Sequence, residues 1–261
     1  MFVLIQFLLR ASFGMAAAMA GTPSKQVTSG YYRNHLYVIL GLNVLATLVA
    51  ISHGGDFPYW PPLTAAVLSY VGSVAWLYEK KTVGVVFLTA IAAVCLIGAW
   101  IIPQGVTVAP ADCLSESGFP YPGQAFLRFF DPLSGGLLLG ETLAAMFLGH
   151  WYLNTPTMKL APLKQLVLAM GAAVLLRAAV CGTGLALTLE YCPPHTLSIW
   201  FVLLRWLAGL IGTLGVVWMT WETLKIPNTQ SATGILYVGV ILTFIGELAS
   251  LLMSQGGAYP V

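Results

Sequence analysis

The chain reads as an all-α integral membrane protein with eight transmembrane helices and with its N and C termini outside. Three observations predict this. Of 261 residues, 58% are hydrophobic and 8% charged, and mean hydropathy is +0.85, far from the averages of a water-soluble domain. Apolar stretches near the length a bilayer demands, about 20 residues for a hydrocarbon core about 30 Å thick, recur eight times. Finally, Lys25, Arg33, Lys80, Lys81, Lys159, Lys164 and Lys225 fall in or beside four alternate gaps, whereas the intervening gaps hold only Arg128. By the positive-inside rule the four basic gaps face the cytoplasm. The other side carries Asp56, Asp112, Glu116, Asp131 and Glu190.

Taken in order, the expected helices run Phe2–Ala20, His35–His53, Pro62–Leu77, Thr82–Ile102, Leu133–Asn154, Leu163–Leu189, Thr196–Thr223 and Thr229–Met253. The first ends in small residues, Ala16, Ala18 and Ala20, that imitate a signal cleavage site, but it lacks the charged n-region of a secretory signal and is read as a retained helix. An even number of crossings brings the C terminus back to the side of the N terminus. The expected location is the bacterial inner (plasma) membrane, with the termini periplasmic or extracellular.

The whole chain, 1–261, is read as one membrane domain with a hint of duplication. Thr22-Pro23-Ser24-Lys25 after the first helix is echoed by Thr155-Pro156-Thr157-Met158-Lys159 after the fifth. Likewise Trp76-Leu77-Tyr78-Glu79 is echoed by Trp218-Met219-Thr220-Trp221-Glu222. Both pairs also suit ordinary helix ends, where Pro stops a helix and Trp sits at the interface. Repeat halves would be 1–102 and 133–261, two parallel four-helix units joined by an outer loop 103–132 whose prolines and glycines break any helix. No phosphate-binding loop or basic tract is present, so nucleic acid and ATP are not expected partners.

Four cysteines divide by depth. Cys113 in the outer loop and Cys192 after the sixth helix are disulfide candidates in an oxidising compartment, Cys181 is an alternative partner, and Cys95 is buried in the fourth helix. All four also read as small buried hydrophobes. Without a CxxC pair, thiolate metal sites and thioredoxin-type chemistry lose support. Glycines in groups, Gly135-Gly136 with Gly140, and Gly209, Gly212 and Gly215, mark faces for close helix packing.

Charges inside a bilayer are functional candidates by default. Five are expected there: Arg10, Glu141, Arg177, Arg205 and Glu247. At about 1.5 Å per residue, Glu141, Arg205 and Glu247 should meet in the outer half of the bundle with Arg177 just below. Such a cluster is either a polar site or a set of ion pairs that locks helices together. Histidines supply a second clue. His35 and His150 share a depth near the cytoplasmic ends of the second and fifth helices, and His53 and His195 lie near the other face. Two histidines at one depth suit axial ligation of haem b iron, with Arg33 pairing a propionate, or equally a quinone carbonyl. Each also suits an interfacial belt, as in Tyr31-Tyr32-Arg33-Asn34-His35.

Three functions follow. The first is a membrane subunit of a respiratory or photosynthetic electron-transfer complex, the quinone-reactive part of an oxidoreductase. His35 and His150 bind haem b or quinone near the cytoplasmic face, and other subunits take the electrons. Glu141 and Glu247 handle the proton, while Arg177 and Arg205 hold those carboxylates ionised. In architecture alone, eight helices in two halves resemble the quinol-oxidising membrane anchors of molybdenum-enzyme complexes. The second is a proton-coupled small-solute transporter with an intramembrane Glu/Arg site. The third is an intramembrane lipid-modifying enzyme, for which neither HExxH nor GxSxG is present.

Overall fold

The computed structural model describes residues 2–52, 58–102, 123–155, 157–191, 198–226, 228–254 and 259–261. Among them the regular structure is helical: α1 (Phe2–Gly21), α2 (Ser29–Ser52), α3 (Trp60–Leu77), α4 (Lys81–Ile101), α5 (Gln124–Asn154), α6 (Ala161–Tyr191), α7 (Ile199–Lys225) and α8 (Thr229–Ser254). The middle of α7, Leu204–Gly212, is π-helical, a winding that often accompanies functional sites.

Seven of these helices are long and apolar enough to cross a membrane. The chain is therefore a helical membrane protein. Helix α3 falls short of the other seven: it has 18 residues, and Trp60, Pro61, Pro62, Ser69, Tyr70 and Ser73 lower its hydropathy. Its start is set by Pro61 and Pro62, which tolerate a first turn because they have no N–H to leave unpaired. Its end is a tight reversal in which Glu79 adopts a left-handed φ of 55°, and the N–H groups of Glu79 and Lys80 return to the carbonyls of Trp76 and Ala75.

Two helix starts depart from expectation. Helix α2 begins at Ser29, so Arg33 and His35 lie inside it. Helix α5 begins at Gln124 and carries Pro132 within it, so residues 124–132, expected in the outer loop, are helix; residues 103–122 lie outside the described residues. A proline here removes one ladder hydrogen bond and pushes on the preceding turn. Nearby carbonyls find side-chain donors instead: Trp100 Nε1 donates to Phe129 O at 3.0 Å, and Arg177 Nη1 to Asp131 O at 3.3 Å.

Helices α1 to α4 pack in a ring, α1 on α2, α2 on α3, α3 on α4 and α4 back on α1. Helices α5 to α8 make a second ring, in which α5 touches α6 and α8, and α7 touches both of those. The rings meet chiefly through α1 against α5. That seam is made by glycine: a Cβ on Gly14 would overlap the Gly136 carbonyl, and one on Gly140 would overlap the Gly14 backbone. Backbones this close leave no room for any side chain, the small-residue packing expected of Gly136 and Gly140.

Burial follows from this plan. In α1 and α5, 78% of the most apolar window is buried, against 28–44% in the other candidate spans. Outer faces are apolar, with Leu48, Val86, Leu175, Leu207 and Ile241 exposed, while Arg10, Asp131, Arg177, Arg205 and Glu247 are buried. Apolar outside and charged inside is the arrangement a lipid solvent selects.

Candidate functional site

Away from the basic loops, five charged side chains from five helices join into one chain. Arg10 of α1 places Nη2 2.5 Å from Asp131 Oδ2 of α5. The other carboxylate oxygen, Oδ1, accepts from Arg177 Nη1 of α6 at 2.6 Å. Arg177 then grips Glu247 of α8 with two parallel bonds, Nε to Oε1 at 3.0 Å and Nη2 to Oε2 at 2.9 Å, the bidentate geometry that makes such pairs strong and directional. Finally Arg205, on the π-helical turn of α7, brings Nη1 within 2.9 Å of Glu247 Oε1.

Neutral groups complete the shell. Gln6, one turn before Arg10, accepts from Arg10 Nε at 3.3 Å and donates to the carbonyls of Ala99 and Ile102 at 3.0 and 2.8 Å, tying α1 to the end of α4. Ser134 and Ser250 each accept from Arg177 at 3.2 Å. Ser250 Oγ in turn donates to Val261 O at 2.5 Å, which fastens the buried segment Tyr259–Val261 beside the cluster. Glycines make the space: a Cβ at Gly135 would stand 2.7 Å from Glu247 Oε2, and one at Gly209 would stand 3.0 Å from Arg205 Nη1 and 2.7 Å from the Gly246 Cα.

Counted over these five side chains, the charges do not cancel. Arg10, Arg177 and Arg205 carry three positive charges against two negative on Asp131 and Glu247. The surplus is reflected in unused donors. Arg10 Nη1, Arg205 Nε and Arg205 Nη1 are buried without a hydrogen-bond acceptor among the described residues; Arg205 Nη1 is close to Glu247 but its N–H is not aligned with it. Among the described residues only Nη2 of Arg205 donates, to the Cys181 sulfur at 3.3 Å, a weak acceptor. The adjacent Trp206 Nε1 is likewise enclosed and unpaired.

Of the five charges expected inside the bilayer, Arg10, Arg177, Arg205 and Glu247 meet here, and Glu141 does not. Asp131 takes the place foreseen for Glu141. Glu141 lies nearer the basic end of the bundle, half-buried, beside a cavity of about 120 Å³ lined by Ala18, Gly21, Thr22, Pro162, Gln165, Leu166 and Ala169. Its Oε2 is enclosed with no hydrogen-bond partner among the described residues.

The histidines at the basic end have unlike surroundings. His35 is buried, its Nδ1 is 2.6 Å from Tyr31 O, and its ring packs against Tyr31 at 4.5 Å and Phe147 at 4.6 Å, with Trp151 at 6.2 Å. His150 is exposed and places Nδ1 3.3 Å from Tyr237 Oη of α8. The Phe147 and Trp151 rings of α5 lie against His35, while His150 of the same helix turns toward α8. Arg33 is part-exposed on α2, two residues before His35. His53, His195, Cys113 and Cys192 lie outside the described residues. Cys181, considered as a disulfide partner, is instead a buried free thiol held by Arg205.

Compared with protein-family models, with curated proteins and with solved structures, the chain matches none.

Proposed function

We propose that this chain is a coupled transporter of a small anionic solute, and that the buried Arg/carboxylate chain is its binding and gating element. The observation that carries the reading is the surplus charge: three guanidiniums against two carboxylates, with Arg205 donors unused, in an environment where an uncompensated charge costs several kcal/mol. A carboxylate or phosphate-like anion supplies the missing acceptors, and a planar guanidinium suits either. Arg205 stands on a π-helical turn, where repacking to an ordinary α-helical turn rotates the side chain relative to Glu247. Breaking and remaking the Arg205–Glu247 contact is then a two-state element that an anion biases.

In this reading all eight helices cross the bilayer, α3 included, because it packs between α2 and α4 and exposes Val67, Tyr70 and Leu77 on its free face. The basic ends face the cytoplasm, both termini lie outside, and the membrane is the bacterial inner membrane. The two helical rings correspond to halves 1–102 and 133–261, with the first residues of α5 extending ahead of the second.

Uptake into liposomes tests it. Full-length protein reconstituted with inward proton and sodium gradients, imposed separately and together, should accumulate at least one labelled acid from a panel of small mono- and dicarboxylates and inorganic phosphate, several-fold over protein-free vesicles. Arg205→Gln should abolish that uptake. No accumulation of any panel member overturns the reading.

A second reading keeps the electron-transfer subunit, with haem b or quinone bound near His35 and His150 and other subunits as redox partners. It is favoured by the aromatic wall of Tyr31, Phe147 and Trp151 around His35, a surface on which a quinol ring stacks while Nε2 of His35, whose Nδ1–H is given to Tyr31 O, accepts from the quinol hydroxyl. A reduced-minus-oxidised visible spectrum and quinone extraction of the purified chain separate it from the first.

A further inference from the structure

We propose that the cavity at Glu141 is a binding site for an alkali-metal cation of about sodium size, distinct from the arginine cluster. Three features of this place point to a cation. Glu141 Oε2 is enclosed without a hydrogen-bond donor among the described residues, although buried polar oxygens are ordinarily satisfied. Beside it is a pocket of about 120 Å³, more than enough room for a small ion with water. The cavity wall holds Gln165 and Thr22 and is otherwise glycine, proline and apolar residues; Glu141 is its only charged side chain, with no Lys or Arg in the lining.

Backbone adds to the field. Helix α1 ends at Gly21, and Ala18, Gly21 and Thr22 of that end line the cavity. A helix C terminus presents carbonyl oxygens without intrahelical donors and a partial negative charge. Some of these oxygens are engaged, Ala18 O by Thr22 Oγ1 at 2.8 Å and Thr22 O by Tyr32 Oη at 3.0 Å, yet each carbonyl keeps a second lone pair for a cation.

Charge count selects the ion class. One carboxylate with neutral oxygens balances a monovalent ion, whereas Ca²⁺ sites draw on several carboxylates and Mg²⁺ demands near-octahedral geometry. The apolar remainder, Leu166, Ala169 and Pro162, lowers the local dielectric on that side and strengthens the attraction between carboxylate and cation. The transport reading is needed only for the consequence that this cation is the coupling ion; binding itself stands on the cavity.

Carbodiimide labelling tests it, because dicyclohexylcarbodiimide attacks protonated carboxyl groups in apolar surroundings and a bound cation blocks them. Full-length protein in mild detergent is labelled in choline chloride, then in sodium, lithium and potassium chloride at equal ionic strength, and the Glu141 peptide is quantified by mass spectrometry. Sodium or lithium should lower labelling at least several-fold relative to choline. Sodium should also raise the melting temperature of wild type and leave Glu141→Gln, a near-isosteric change that keeps the fold, unmoved. Labelling indifferent to all three alkali cations, or a sodium-dependent melting shift that survives in Glu141→Gln, overturns the proposal. If cation binding fails while anion uptake in liposomes persists, the arginine-cluster reading stands alone; if binding succeeds without uptake of any solute, the cavity stands and the transport reading falls.

Discussion

In the half of the bundle away from the basic loops, five charged groups share bonds across α1, α5, α6, α7 and α8 until almost every oxygen is taken. Toward the basic loops, Glu141 has one enclosed oxygen with no donor and a cavity beside it. Both places put carboxylates in the membrane, and they solve the desolvation problem differently. The first offsets it with fixed opposite charge, so it resists change and holds helices in register. The second leaves it to whatever enters. Stability on this view resides in the acceptor side of the first cluster, whereas ligand binding resides in the surplus donors there and in the unsatisfied oxygen at Glu141.

The largest effect should come from removing an acceptor of the full cluster. Asp131→Asn leaves Arg10 and Arg177 without their shared counter-ion and raises the local surplus from one positive charge to two. Breaking one partner of a buried pair costs about 3–5 kcal/mol, so the variant should melt far below wild type in detergent. Glu141→Gln should change stability by no more than about 1 kcal/mol. Equal destabilisation by the two substitutions would break the contrast.

Next in size is the seam that lets the cluster form. Gly140→Ala introduces a methyl where the Gly14 backbone already lies, and α1 must back away from α5, carrying Arg10 from Asp131. Overpacking of this kind costs about 1–3 kcal/mol. A double variant with Asp131→Asn should lose less than the sum of the two single changes, since both act by separating the same pair. Strict additivity in melting measurements would show that the seam and the cluster are independent.

Much of this was legible in the residues and some was not, for identifiable reasons. Apolar runs near bilayer length located every helix. The spacing of Arg205 and Glu247 along their helices brought them to one depth with Arg177 just below, because rise per residue is fixed. Asp131 was hidden by Pro132: a proline next to an acidic residue reads as a loop, yet the helix tolerates it because Trp100 and Arg177 donate to the carbonyls nearby. A signal was there, since Asp131, Gly135 and Leu138 continue the buried face of α5 backward at helical spacing. Glu141 was misassigned for the same reason. Once α5 starts at Gln124, Glu141 moves deeper from the outer end and away from Glu247. That the two histidines meet different neighbours depends on rotation about α5, which periodicity constrains only when the partner helices are known.

Arg205 separates the two roles of the cluster. Arg205→Met removes the surplus positive charge, and Glu247 keeps both bonds from Arg177. Unlike Asp131→Asn, it should leave the melting temperature near or slightly above that of wild type, because an apolar replacement of a poorly paired buried charge is often neutral or stabilising. Anion uptake should nevertheless vanish. A destabilisation matching that of Asp131→Asn would mean that Arg205 serves as a structural partner of Glu247 and that the count of unused donors has no functional meaning.

A similarly small stability effect is expected at His150, and it sharpens the second reading. The side chain is exposed and makes one long contact, 3.3 Å to Tyr237 Oη, so His150→Ala should shift stability by no more than about 0.5 kcal/mol. His35→Ala removes a buried ring packed on Tyr31 and Phe147 and should cost more. If the purified chain carries a haem spectrum, His150→Ala should abolish it at almost unchanged melting temperature, because ligation and packing are then separate properties of that side chain. Retention of the spectrum would remove His150 as a ligand. A quinone that survives His150→Ala but is lost in His35→Ala would place the ring against the aromatic wall of α2 and α5.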